Sequence, residues 1–182
     1  MNAGDPQLSG ESIRLRRLSV DDVSDMHAAA LESAAELEKT VPWFSRDMTP
    51  ESFRAWATWA DEAWDRGEHY ELSILAADGI FLGCVGLGVD AASKSANLQY
   101  WVRTTATGRG IASEAARVAS RWAVQELGLQ RVEILITEQN VPSQKAAEKS
   151  GARFEGVLRN RISWEERAYD AHIFSFIPSD FD

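Results

Sequence analysis

Two glycines flank an arginine in WVRTTATGRGIASEAARV (Trp101–Val118), between a strand-like run and a helix-like run. A helix N-terminus exposes unpaired N–H groups and a partial positive charge, so such a corner attracts phosphate. Gly108 and Gly110 permit positive φ there and remove side chains that would block a ligand's approach. A purely structural tight turn uses the same residues, so the glycines alone leave both readings open. The corner lacks the closing Gly-Lys-Ser/Thr of a Walker A loop. It also lacks the third glycine and the later acidic strand end of a dinucleotide fingerprint. Further on, Asn140 stands at an N-cap position before VPSQKAAEK, with Ser143 early in that run. The single cysteine, Cys84, lies between glycines in LGCVG with no neighbouring histidine to activate it. It reads as a core-strand residue rather than an acyl-carrying nucleophile. One cysteine excludes a disulfide framework and a multi-thiolate metal site. His27, His69 and His172 are scattered, none at metal-ligand spacing, and read as packed or surface residues, so no metal is expected.

Alternation and turn residues indicate the elements that must hold these groups. IRLRRL (Ile13–Leu18) reads as a first strand, and Ser19 as the cap of a helix running through DMHAAALESAAEL. VPWF (Val41–Phe44) interrupts the helical region, which Thr49 and Pro50 restart through SFRAWATWADEAW. After Gly67, three strands follow: YELSILAA, IFLGCVGLGV and NLQYWVR. A helix from about Arg109 to Leu127 stops at Gly128, RVEILITE is a strand, and a short helix from Asn140 closes at Gly151. RFEGVLRNRISW and YDAHIFSFI finish as strands. The order describes an α/β sandwich with a mixed sheet, in which one strand–helix–strand unit carries the glycine corner.

The chain of 182 residues, 45% hydrophobic, suits one domain over residues 1–182. No apolar run is long enough to span a membrane. The polar MNAGDPQLSGES start does not read as a secretory signal, so a cytoplasmic protein is expected. The net charge of −9 is uneven: residues 1–100 carry 8 Lys/Arg against 17 Asp/Glu, and residues 101–182 carry 11 of each. An acidic chain without a basic patch argues against nucleic acid as the main partner. The neutral half can host an anionic ligand and the acidic half favours a cationic one, although a solvated acidic surface has the same composition.

The glycine corner, together with NVPSQKAAEKSGARFEGVLR (Asn140–Arg159), resembles the GNAT superfamily of acetyl-CoA-dependent N-acetyltransferases. Within it the chain is similar to the RimJ/RimL-type branch of ribosomal-protein N-terminal acetyltransferases. RLRRLSVDDV, VPWF, FLGCVGLGVD, NLQYWV, GRGIASEA and YDAHIFSF carry the resemblance over nearly the whole chain. It implies a mixed, mostly antiparallel sheet of six to seven strands flanked by helices, with a splayed central strand pair. It also implies acetyl-CoA as acyl donor. Gly108, Arg109, Gly110, Ile111 and Ala112 would wrap the coenzyme A pyrophosphate, and the main chain of Trp101, Val102 and Arg103 would pair with the pantetheine arm. Asn140 and Ser143 would bind cofactor beside the reacting centre. An amide near Val102 would donate to the developing oxyanion, and Ser143 would supply a proton to the departing thiolate. Helix capping is the plain alternative for both Asn140 and Ser143. Trp43, Phe44 and Tyr100 fall to the acceptor side, where Trp56 and Trp59 can extend an aromatic wall or simply pack in the core. Homodimers are common among such relatives, and seven tryptophans suffice for an apolar interface.

The match departs at three places. Thr107 replaces the Gln or Arg that opens the family's glycine motif, which implies weakened phosphate contact. Asn97 and Gln99 replace the Glu and Gly of relatives reading E-I-G-Y-W. Ile162 stands where some relatives carry a further Glu, with Glu165 and Glu166 slightly later. A carboxylate base is therefore missing from its expected place, which leaves water-relayed loss to Glu138 or solvent. Deprotonating an α-amine at pH 7 costs about 1 kcal/mol, against roughly 4–5 for a lysine. That difference favours a protein N-terminal α-amine as acceptor. A polyamine or antibiotic-like amine is the first alternative, and a degenerate acyl-CoA-binding module without turnover the second.

Overall fold

The computed structural model describes residues 4–41, 44–164 and 166–182. Its strands are β1 (Gln7–Ser9), β2 (Ile13–Arg17), β3 (His69–Ala76), β4 (Phe81–Asp90), β5 (Ser95–Val102), β6 (Arg131–Thr137), β7 (Arg153–Trp164) and β8 (Arg167–Phe176). They form one sheet in the order β1-β2-β3-β4-β5-β6-β8-β7. The eighth strand beyond the expected six to seven is β1, whose polar Gln-Leu-Ser has no pattern of its own. Its ladder comes from β2, with Leu8 opposite Leu15.

The helices are α1 (Val23–Glu32), α2 (Ala34–Thr40), α3 (Pro50–Arg66), α4 (Ile111–Gln125) and α5 (Val141–Ser150). The single helix expected after Ser19 is divided at Ser33. The Ser33 hydroxyl donates to the Ala29 carbonyl at 2.7 Å and accepts the Thr104 N–H at 2.9 Å. A serine that competes for backbone groups in this way interrupts a helix, and this one fastens the break to the loop beyond β5. Asp22 anchors the start of α1. It is buried, accepts from Arg16 Nη1 at 2.8 Å, from the Ser73 hydroxyl at 2.7 Å and from the Ser19 N–H at 3.0 Å. Burial pushes the Asp22 carboxyl up, but these donors outweigh it and hold the group below its ordinary value. Thr49 and Pro50 open α3, and Gly67, at φ 71°, closes it in the left-handed region.

Side-chain alternation divides the sheet between two apolar cores. One buries Leu72, Leu87, Leu98, Ile134 and Phe176 against α4 and the small residues of α5. The other packs Phe53 of α3 and Met26 of α1 over Cys84, Phe81 and Trp101. Every neighbouring pair of strands is antiparallel except β5 and β6. Those two pair only at Ser95–Arg131, Ala96–Val132 and Asn97–Glu133. Beyond that point β4 holds β5 as far as Val102, while β8 holds β6 as far as Thr137. The central pair therefore splays.

Candidate active site

The splay opens into a cavity of about 680 Å³ bordered by Leu98–Trp101 on one strand and Ile134–Thr137 on the other. The Arg103 N–H donates to the Leu82 carbonyl at 2.8 Å, so the main chain of Arg103 and Trp101 turns toward β4. By the two-residue period of a strand, the N–H and C=O groups of Tyr100 and Val102 face the gap. These are main-chain groups that an added strand-like ligand can pair with. Trp101 turns its ring away into the α1–α3 core, where it packs 6.0 Å from Phe81. Arg103 is tied to the Glu32 carboxylate and donates to the Phe81 carbonyl at 3.2 Å. Its side chain braces β5 against α1.

The glycine corner has the backbone that the sequence requires. Gly108 and Gly110 sit at φ 74° and 84°, and Gly110 is the N-cap of α4. No neighbour lies within 4 Å of a Cβ built at Gly108, so the loop stands clear. Arg109 is exposed, Ile111 is buried as the anchor of α4, and Ala112 is half-buried. Thr107 turns its hydroxyl onto the Thr104 carbonyl at 2.8 Å, closing the preceding turn. A cation arrives instead from α5: Lys149 Nζ lies 3.5 Å from the Cβ position of Gly110. Its signal in the sequence was weak, because only the packing of α5 on α4 brings it to the corner. Left-handed glycines, first-turn amides and one ammonium form a cradle that suits a pyrophosphate.

On the α5 side, Asn140 caps the helix by accepting the Ser143 N–H at 3.2 Å. Tyr100 reaches the same turn, its hydroxyl 3.0 Å from both the carbonyl and the hydroxyl of Ser143. Burial pushes the Tyr100 hydroxyl above its ordinary pKa despite the Ser143 bond, which keeps it protonated near neutral pH. Asn140, Ser143 and Tyr100 thus meet at one wall of the cavity.

The opposite wall carries a group that the sequence did not point to. His69 Nε2 and Glu71 Oε2 lie 2.6 Å apart on one face of β3. Trp56 and Trp59, 4.7 Å apart, pack over the imidazole at 5.9 and 5.1 Å. The available signal was His-x-Glu on a strand, which puts both side chains on one face, opposite the Gly-x-Gly of β4. Asn97, Gln99 and Ile162 also line the cavity, without a carboxylate among them. Phe44 is buried in the α1–α3 core rather than on the cavity wall, and Trp43 lies outside the described residues. Among the described residues no group of His, Cys, Asp and Glu is placed to hold a metal ion.

Comparison with known proteins agrees with this geometry. Residues 12–153 match the Acetyltransferase (GNAT) domain family. "Probable N-acetyltransferase YjcK" of Bacillus subtilis is 29% identical over 167 residues, covering 87% of this chain and 92% of the relative. Mycobacterium smegmatis RimJ, solved in complex with CoA-disulfide, superposes with a TM-score of 0.83 at 22% identity, over 97% of this chain and 87% of that one. A Salmonella typhimurium acetyltransferase described as modifying the N-terminal serine of ribosomal protein L7/L12 gives 0.82 at 18%, over 92% and 95%. The splayed strands, the glycine cradle and a family match over most of the chain make this protein a member of the GNAT family of acetyl-CoA-dependent N-acetyltransferases.

Proposed function

We propose that the protein acetylates the N-terminal α-amine of a protein, as an enzyme of the ribosomal-protein type working in the cytoplasm. The observation that carries this reading is the shape of the cavity beyond the splay. It extends from β5 past Trp56 and Trp59 to Arg161 and Trp164 of β7, a span suited to a peptide end rather than a small amine alone. Gln99, Arg161 and Trp59 on its border are exposed, so a chain can enter with its first residue leading. The relatives described as acting on ribosomal proteins support the same class of acceptor.

Bound acetyl-CoA supplies a thioester with a carbonyl for the amine to attack. The residues of this chain position and polarise it. The α4 cradle and Lys149 hold the pyrophosphate, and the amides of Tyr100 and Val102 align the arm along the gap. The Val102 amide donates where negative charge develops on the carbonyl oxygen, the type of contact worth about 3–4 kcal/mol in acyl transfer. The Tyr100–Ser143 hydroxyl pair offers the proton that the leaving sulfur takes up. Asn140 fixes the Ser143 turn.

The test uses isotope-labelled acetyl-CoA, the purified protein and a size-fractionated cell extract. Label on the N-terminal residue of a macromolecule supports the reading, and mass spectrometry names the substrate. Label confined to small molecules moves the acceptor to a polyamine or drug-like amine. No transfer, with coenzyme A binding intact, leaves a binding module.

A further inference from the structure

We propose that His69 and Glu71 are the pair that takes the proton from the acceptor ammonium, an assignment that rests on the amine-acetylating reading above. The two side chains are bonded at 2.6 Å and are only 12% and 9% exposed, yet both line the cavity. Strand register sets what they face. Glu71 lies opposite Gly86 and His69 opposite Gly88, and those glycines lie opposite Gln99 and Asn97 of β5. Two residues without side chains leave room over β4, and the pair leans into it toward the strand that splays. That room is needed for the pair itself. A Cβ at Gly86 would stand 2.4 Å from Glu71 Oε2 and 3.0 Å from His69 Nε2. The end of β5–β6 pairing at Asn97 places this room beside the first open stretch of the gap.

The chemistry of the pair separates it from the other well-held carboxylates. Asp22, Glu32 and Glu155 are each clamped by an arginine, which fixes their charge. Glu71 instead shares its oxygen with an imidazole, a ring whose two nitrogens can each take up or give a proton. Trp56 and Trp59 add aromatic faces, which attract an ammonium ion. Among the described residues, the titratable and charged groups around the pair are few. Cys84 on β4 is a thiol that burial holds protonated, Arg161 stands on the cavity border, and Asp22 with Arg16 lies behind Ser73. From α3 come the two tryptophans, and from β5 the neutral Asn97 and Gln99.

The acceptor enters as R–NH3+ and gives one proton to the pair, Glu71 receiving it and His69 passing it to solvent. The freed lone pair forms an N–C bond to the thioester carbonyl carbon, and the C–S bond breaks. The nitrogen loses a second proton as the amide forms, and the departing sulfur gains one through Ser143 and Tyr100. The products are the N-acetyl amine, the coenzyme A thiol and one released proton.

Glu71→Gln and His69→Gln in the full chain test the assignment, with a tripeptide amide bearing a free α-amine and with spermidine as probes. At pH 7 each variant is expected to lose about 100-fold or more in kcat/KM, the scale of general-base catalysis. The loss should shrink about tenfold per pH unit up to an amine pKa of about 8, because the acceptor then sheds its own proton. Coenzyme A affinity by calorimetry should stay within about twofold, which reports that the fold and cradle are intact. A second readout needs no turnover: in coenzyme A-loaded protein, either amine should shift the His69 ring-proton NMR signal, and Glu71→Gln should abolish the shift. Variants within about threefold of the parent at pH 7, a loss that does not shrink with pH, or an unmoved His69 signal overturns the assignment. Turnover of spermidine alone overturns the peptide reading instead, and the variants then decide the pair with spermidine.

Discussion

At the scale of single residues, the gap between β5 and β6 has two chemical sides, set by strand alternation. Even positions of β5 look toward α4 and α5, where the Tyr100 hydroxyl sits 3.0 Å from that of Ser143. Odd positions look toward α1–α3, across the bare glycines to His69 and Glu71. On the proposed reading, the nitrogen's first proton leaves on the His69–Glu71 side and the sulfur gains its proton on the Ser143 side, so the two routes do not cross. Ser143→Ala should lower kcat by about 100-fold at pH 7, with coenzyme A affinity unchanged by calorimetry. If the serine hydroxyl only braces Tyr100, kcat will hold, and the helix cap, which uses the main-chain N–H that alanine keeps, will be unchanged. Glycine matters to this chemistry at Gly86. Gly86→Ala pushes a methyl into the space of the Glu71 carboxylate, so activity should fall at least tenfold while urea unfolding changes little. An unchanged kcat/KM would show that the carboxylate can shift without consequence.

At the scale of elements, the splay follows from competition between strand partners. β5 and β6 share three paired positions, while each keeps a full antiparallel ladder with its outer neighbour. The cradle then depends on the left-handed turn into α4. Gly110→Ala forces an alanine to φ near 84°, a strain of about 1–2 kcal/mol, and weaker coenzyme A binding should accompany the lower stability. Asp22→Ala removes the partner of Arg16, the bond to Ser73 and the cap of the first turn at once. A loss of about 3 kcal/mol in urea-derived stability is expected, discounted from the fully buried case because Arg16 is partly exposed. Most of these elements were legible in the sequence, for identifiable reasons. Thr49-Pro50, Gly67, Gly128 and Gly151 are strong local punctuation, and β6 alternates cleanly. β1 and the break at Ser33 were not legible, because a polar tripeptide and a buried serine depend on tertiary partners. The His69–Glu71 pair was hidden for the same reason. Its importance comes from glycines opposite it in register and from tryptophans on another helix, and no local window contains all three.

At the scale of the whole molecule, one arginine–carboxylate clamp ties the end of β5 to α1, and another joins β6 to β7 within the sheet. The Arg103 guanidinium, with the Thr105 N–H, holds the Glu32 carboxyl down to about 2, and Arg131 with Ser175 does the same for Glu155. Both groups start from an ordinary value of 4.5, so their contribution is fully present above that pH. It is lost as pH falls toward about 2, since a carboxyl depressed in the folded state stabilises only while ionised. Unfolding free energy measured in urea should fall through this window, and Glu32→Gln should flatten part of that slope. Partial exposure of both carboxylates makes each contribution modest. Residues 1–100 carry the acidic excess and supply Trp56, Trp59, His69 and Glu71 to the cavity; on the proposed reading that charge favours the approach of a cationic amine, an effect that should weaken with added salt. The most direct test of the account compares two peptides of one sequence under labelled acetyl-CoA. One has a free α-amine and blocked lysines, the other a blocked N-terminus and free lysines. At pH 7 the first peptide is expected to be acetylated at least 100-fold faster in kcat/KM. Equal rates, or faster labelling of the lysines, would contradict it.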